Sequence, residues 1–161
     1  MKIIQKPSPN FTRPDTQRDI WAIIIHATAT KGLSSPLEWL TLSASKVSAH
    51  YLIDLNGEIY QMVNESDIAW HAGKSKWRGK EGVNSFSVGI ELVNANDGVQ
   101  LYPQEQLDSC ADIVADISKR KDIHACDVIG HSDIAPGRKN DPVKFPWGEF
   151  RGILAIRGVQ A

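Results

Sequence analysis

No stretch of this sequence approaches the ~20 consecutive apolar residues of a membrane-spanning helix, so no passage through a bilayer is expected. An excess of charge of one sign is lacking too: 18 Lys and Arg stand against 19 Asp and Glu, for a net charge of -1. Without a basic field there is no electrostatic footprint for nucleic acid. The locally basic SKRKD at 118–122 reads most simply as the end of a helix, where cations complement the dipole. Cysteine is scarce. Cys110 and Cys126 do not make a close metal-type pair, and two free, buried thiols are the expectation. The opening MKIIQKPSPNFTRPD holds no apolar run of secretory length and is broken by Pro7 and Pro9, so the chain is expected to be made in the cytoplasm without a signal peptide. Repeats and low-complexity tracts are missing as well. What remains is 161 residues, 42% hydrophobic and 23% charged, a composition that fits one soluble domain around a single core.

Residues 1–20, with Pro7, Pro9 and Pro14 among polar residues, favour an extended N-terminal arm over a helix. From residue 21 onward the pattern is that of a folded domain. WAIIIHAT is a short, continuous, β-branched run, the signature of a central strand buried on both faces. SSPLEWLTLSAS reads as a helix, with Ser35 as N-cap, Pro36 at the first helical position and Glu38 closing a capping box. SAHYLIDLNGEIYQMV is a hairpin around Asn56-Gly57, a strong short turn signal. FSVGIELVN is another apolar strand, interrupted by Gly89 and Glu91. PQEQLDSCADIVADISKRKD places Leu107, Cys110, Ala111, Val114 and Ile117 on one helical face. DVIGH is a last short strand, and FPWGEFRGILAI a terminal helix. Interleaved strands and helices with one hairpin predict an α/β single domain with a central mixed β-sheet flanked by helices.

The densest polar stretch is VIGHSDIAPGRKNDPVKFPW at 128–147, held in loop by three prolines and a glycine. His26 and His131 end apolar strands in the same way, and strand ends of an α/β sheet are where sites assemble. Taken singly, each histidine is satisfied by a structural role bonded to backbone. Taken with Asp141 in a rigid loop, two imidazoles and a carboxylate match a catalytic zinc that keeps its fourth position for water. Glu91, between Ile90 and Leu92, has two open readings. Strand alternation turns it to solvent, or it faces the metal, where burial raises its pKa and suits it to general-base work.

Four segments, IIIHATAT, SAHYLID, AWHAGKSKWRGKEGVNSFSVGIELVN and GHSDIAPGRKNDP, follow one another in an order and spacing that resembles the zinc-dependent N-acetylmuramoyl-L-alanine amidases of the type-2 class. These are relatives of peptidoglycan-recognition proteins and some phage lysins, and the similarity runs from about Trp21 to Trp147. The resemblance implies that His26, His131 and Asp141 bind Zn2+, that Glu91 is the acid/base and that Lys139 stands beside the metal. A zinc so held activates water near neutral pH, and the Lys139 ammonium suits a developing oxyanion. The resemblance further implies a cleft lined by His50 and His71, contact of Asn84 with muropeptide, pairing of Arg138 with a stem-peptide carboxylate, and a groove bordered by Trp70 and Trp77. Its partner is peptidoglycan or a muropeptide, and a monomer is favoured. Residues 21–161 are thus expected to form a zinc amidase catalytic domain behind the 1–20 arm.

The chain departs from parts of the family pattern. Asp141 stands where some phage-type relatives use a cysteine, Ala49 where those relatives carry a catalytic tyrosine, and Val143 where many relatives have glycine. Other classes compete with the amidase reading. A binding module without catalysis would lack a ligand or Glu91, whereas all four positions are filled. A serine or cysteine hydrolase finds no G-x-S-x-G elbow and only Cys126 beside His124. Within the amidase reading, a wall-lytic, endolysin-like role is preferred over a cytosolic enzyme recycling 1,6-anhydro-muropeptides, and a secreted toxin remains a third role.

Overall fold

A computed structural model describes residues 2–161. In chain order its strands and helices are β1 (Ile3–Gln5), β2 (Phe11–Thr12), β3 (Ala22–Ala27), α1 (Ser34–Thr41), β4 (Tyr51–Ile53), β5 (Ile59–Gln61), β6 (Ile68–Ala69), β7 (Lys76–Trp77), β8 (Lys80–Glu81), β9 (Ser87–Leu92), α2 (Gln104–Lys121), β10 (Val128–Gly130), α3 (His131–Ile134) and α4 (Trp147–Ile156). Six strands make one mixed sheet in the order β1-β5-β4-β9-β3-β10. Only the β4–β5 hairpin is antiparallel; β4, β9, β3 and β10 run parallel. Every residue of β3 is buried, as expected of a central strand covered on both faces.

The period-2 alternation of β3 and β9 builds two different faces. On one, Ile23, Ile25, Val88, Ile90 and Leu92 pack under the apolar stripe of α2 (Leu107, Cys110, Ala111, Val114, Ile117) and under Phe150 and Leu154 of α4. This is the main core. On the other face, Ala22 and Ile24 meet Ala72, Phe86, Ile129 and Ile134, while Leu52, Tyr60 and Val93 meet Leu40 of α1. Between these two smaller clusters the second face carries Ser87, Gly89, Glu91 and His26.

Three local expectations change. The first helix begins at Ser34, with no side-chain cap bond, so the Ser35 capping box does not form. Leu33 already has helical φ and ψ and packs with Leu37 against the cluster around Leu40, so apolar packing sets this helix start. The hairpin turn is longer than the Asn56-Gly57 pair: Gly57, at φ 81°, donates to the Asp54 carbonyl, and Asp54 N–H pairs with Glu58 O. Of the two cysteines, both free, Cys110 is buried but Cys126 is exposed beside Arg78. Residues 3–12 are extended and paired with the rest of the chain: β1 pairs with β5, β2 pairs with β6, and the Asn10 amide donates to the carbonyls of Leu42 and Val47.

Candidate metal centre

Because β9, β3 and β10 are parallel, their C-terminal ends deliver side chains to one edge, the usual site position in an open α/β sheet. The β3–β9 register pairs His26 with Glu91, and the β3–β10 register pairs Ile25 with Gly130, so His131 follows directly beside His26. The loop after α3 then returns Asp141 to the same point. It is shaped by backbone bonds from Ser132 N–H to Asp141 O and from Arg138 and Lys139 N–H to Ala135 O. Asp133, the other aspartate of this stretch, accepts from Gly130 N–H at 2.8 Å and so belongs to the turn.

His131 Nδ1 lies 3.1 Å and His26 Nδ1 3.5 Å from Asp141 Oδ2, and one potential ligand atom from each of the three residues falls within 4.8 Å of the others. All three are buried. The far nitrogen of His131 meets the Ala72 carbonyl at 3.2 Å. A carbonyl only accepts, so Nε2 carries a proton, and in the singly protonated tautomer Nδ1 presents its lone pair toward Asp141. Burial pulls His26 down to about 4, against the pull of Asp141, which keeps this ring neutral at pH 7. Neutral imidazole lone pairs turned on a carboxylate lack a positive centre between them. The donor set and its convergence therefore fit a divalent metal, zinc in particular.

Glu91 stands on the same face one strand away. It is half-buried, and its Oε2 is buried without a hydrogen-bond partner. Burial, with Asp141 adding to it and Lys139 opposing, pushes the carboxyl up to about 8. Of the two readings of Glu91, the geometry matches the one that faces the site. An open cleft of about 510 Å3 runs over this point. Its lining includes His71, Glu91, His131, Arg138, Lys139 and Asp141, together with Trp39, Val47 and Trp70.

The remaining expected residues separate. Lys139 and Arg138 are exposed on the cleft wall. Among the described residues Arg138 makes no ion pair; its Nη2 donates to the carbonyls of Ala72 and Lys74, both at 2.7 Å. It thus braces the same Ala72 carbonyl that orients His131. His71 borders the cleft but is 9% exposed. Asn84 faces away from the cleft, its Oδ1 accepting from the N–H groups of His71 and Ala72. His50 does not line the cleft: it is fully buried, accepts from Gly89 N–H on Nδ1 and donates from Nε2 to Asp67 O. Trp70 borders the cleft; Trp77 does not, its indole N–H being bonded to Asp127.

Two residues of this region had no sequence signal. Arg18, in the irregular N-terminal stretch, is buried and donates to the carbonyls of Glu65 (2.7 Å), Asn84 (2.9 Å), Ser87 (2.6 Å) and Asp67. Burial lowers it to about 10, while Asp67 and Glu65 work to keep it charged. Trp39 is 54% exposed on the cleft wall although it lies in a helix read only for its caps.

Fold and site together define an α/β domain with a His, His, Asp centre and an adjacent acid at the carboxyl edge of its sheet. The chain belongs to the N-acetylmuramoyl-L-alanine amidase family (Amidase_2), whose sequence profile matches residues 16–144. It is 40% identical over 157 residues to the N-acetylmuramoyl-L-alanine amidase AmiD of Escherichia coli (strain K12), covering 88% of this chain but only 54% of AmiD. It is 33% identical over 165 residues to the 1,6-anhydro-N-acetylmuramyl-L-alanine amidase AmpD of Haemophilus influenzae, covering 91% of this chain and 89% of AmpD. The crystal structure of a Se-Met AmpD derivative superposes with a TM-score of 0.82 at 31% identity, covering 94% of each chain. Escherichia coli AmiD, solved in complex with anhydro-N-acetylmuramic acid-L-Ala-D-gamma-Glu-L-Lys, gives 0.77 at 32% identity, covering 94% of this chain and 67% of that one. An endolysin from Bacillus subtilis, at 23% identity and 0.74, shares the fold alone over 96% of this chain and 99% of its own. Of the roles left open by the sequence, these relatives support the anhydro-muropeptide amidase better than the endolysin-like enzyme preferred above. No helix among the described residues is long and apolar enough to cross a membrane.

Proposed function

We propose that this protein hydrolyses the amide bond between the lactyl group of N-acetylmuramic acid and L-alanine, with 1,6-anhydro-muropeptides as its substrate class. The observation that carries this reading is the convergence of His26, His131 and Asp141 beside Glu91, in a chain whose relatives AmiD and AmpD are named for that bond. Residues 21–161 are the catalytic domain, and residues 1–20 an N-terminal arm. His26, His131 and Asp141 would hold zinc, which when bound would supply an activated water near pH 7 and polarise a carbonyl.

The chain's own residues do the rest. With zinc bound, Glu91 would be held in its ionised form and would take the proton from the attacking water. Lys139, from the cleft wall, donates to the oxygen on which negative charge develops; a fixed donor of this kind is worth about 3–4 kcal/mol. Glu91 then returns the proton to the departing alanine nitrogen, which leaves as an amine. Arg138 keeps Nη1 for a stem-peptide carboxylate while its other donors brace the backbone, and His71 borders the bound muropeptide. Asn84 serves the substrate indirectly, by accepting from the backbone N–H of His71, and His50 by accepting from Gly89 N–H in β9.

The test is incubation of purified protein, with and without EDTA, on anhydro-muropeptides and on intact sacculi, with products identified by mass spectrometry. EDTA-sensitive release of L-alanine-terminated peptides from the anhydro-muropeptides is expected, with little from sacculi. Preference for sacculi restores the wall-lytic role. No cleavage in either state indicates a binding module, and cleavage indifferent to EDTA a thiol or serine enzyme.

A further inference from the structure

The outward nitrogen of each histidine ligand must give its proton to something, because that choice decides which nitrogen is left for the metal. His131 does this directly at the Ala72 carbonyl. His26 has no carbonyl or carboxylate on its outward side; its Nε2 faces another imidazole, His71 Nδ1, at 2.9 Å. One proton lies between these two nitrogens, and the pair alone does not say which ring owns it.

Ser87 resolves the question. Its Oγ lies 2.7 Å from the Val83 carbonyl and 3.2 Å from His71 Nε2. A carbonyl cannot donate, so the single hydroxyl proton sits on the Val83 bond and Oγ is left as an acceptor. The proton of His71 is therefore on Nε2, pointing at Ser87, and its Nδ1 is a lone pair. That lone pair receives His26 Nε2–H, which leaves His26 Nδ1 bare and turned toward Asp141. The reverse arrangement fails at two points. It would oppose lone pairs at the Ser87–His71 contact, or make His71 a buried cation that touches no carboxylate. It would also put the His26 proton on Nδ1, where a hydrogen bond to Asp141 takes the place of the metal.

We propose that Ser87 and His71 are positioning residues for the metal centre: a proton chain running from His26 through His71 and Ser87 to the Val83 carbonyl sets the tautomer of His26. Both ligand imidazoles then end on a backbone carbonyl, His131 directly and His26 through two side chains. Gly89 is the seat of the chain. A Cβ built on it would lie 2.6 Å from His71 Nδ1 and 2.7 Å from Cδ2, so only glycine lets the ring lie flat over β9 between His26 and Ser87. The inference rests on the zinc reading above and concerns how the site is built.

The experiment measures zinc affinity by chelator competition for wild type, Ser87→Ala, His71→Leu and His71→Gln. Imidazole proton positions are read by nitrogen-15 NMR on the zinc-loaded wild type. Glutamine can accept from His26 through its amide oxygen and donate to Ser87 through its amide nitrogen; leucine can do neither. Ser87→Ala and His71→Leu are expected to weaken zinc binding about 10–100-fold, the usual effect of losing a partner that orients a ligand, with His71→Gln recovering most of the loss. His26 and His71 are both expected to carry their protons on Nε2. A His71 proton on Nδ1, or zinc affinity unchanged in both Ser87→Ala and His71→Leu, overturns the chain while leaving the zinc reading intact. Wild type that takes up no zinc overturns both. Should Ser87→Ala not fold, the leucine and glutamine pair decides the matter alone.

Discussion

Gly89→Ala is the substitution for which intrinsic preference and this structure predict opposite signs. Gly89 lies mid-strand in β9, hydrogen-bonded to His50 through its N–H and its carbonyl, and no positive φ is recorded for it. On backbone entropy alone, alanine at such a position stabilises by about 0.4–1 kcal/mol. The added methyl, however, would meet the His71 ring, closest at Cγ and 2.6 Å from Nδ1. That ring cannot swing aside freely, being buried and bonded at both nitrogens. Overpacking of this kind costs about 1–3 kcal/mol, and displacing the ring breaks two hydrogen bonds worth about 0.5–1.5 kcal/mol each. After the entropic gain, the net loss is on the order of 1–6 kcal/mol. At about 2–4 °C per kcal/mol for a chain of this length, Tm of the metal-free protein should fall by roughly 2–24 °C, with the urea midpoint moving in parallel and zinc affinity falling as well. A double-mutant cycle isolates the cause: with His71→Ala in the background the methyl has room, and Gly89→Ala should then cost almost nothing, a coupling of about 2 kcal/mol or more. A Gly89→Ala protein as stable as wild type, or equally destabilised with and without the His71 ring, refutes the seat.

Glu91→Gln should abolish cleavage with zinc still bound, and should also stabilise the metal-free protein at high pH. Burial raises Glu91 from 4.5 to about 8, so its contribution to folding is fully present below about 4.5 and lost as pH rises through about 8. Gln has no such loss, and urea melts of the EDTA-treated proteins should show the variant ahead by on the order of 2–4 kcal/mol at pH 9 and level with wild type at pH 4. Asp141→Ala should lower zinc content in metal analysis to a small fraction of one per chain, and an unchanged stoichiometry removes it from the ligand set. Arg18→Met should destabilise by about 3 kcal/mol or more in thermal melts, since it strands the carbonyls of Glu65, Asp67, Asn84 and Ser87; a neutral outcome would mean that water takes over those carbonyls.

The sheet and its edge residues were legible because their signals are local. WAIIIHAT and DVIGH are apolar runs that stop at a histidine, and a run of that kind declares both a buried strand and the residue its end presents. Asp141 was readable because prolines and glycine confine its loop. Arg18 was not. Its partners are carbonyls between residues 65 and 87, and nothing in its own polar, proline-rich neighbourhood distinguishes a buried guanidinium from a solvated one. The Ser35 cap failed for the converse reason: a clear local signal yielded to the packing of Leu33. His50 misled because a histidine beside a strand looks the same whether it faces a cleft or props a neighbouring strand.

The most instructive case is β9, where the pattern was visible and its meaning was not. SVGIEL looks like an apolar strand weakened by a glycine and a glutamate. The β3–β9 register shows two complete rows: Val88, Ile90 and Leu92 under α2, and Ser87, Gly89 and Glu91 beneath the cleft. Residues two apart on a strand stand about 6.6–6.8 Å apart, close to the span of an imidazole ring with a hydrogen bond. One row therefore places an acceptor, a gap the size of a ring and an acid at even steps. His71 lies over the gap, its outer nitrogen on the acceptor and its inner nitrogen on His26, the register partner of that acid. A larger residue at 89 would strengthen the strand and close the gap, so the apparent weakness at its centre is what lets the strand serve as the floor of the site.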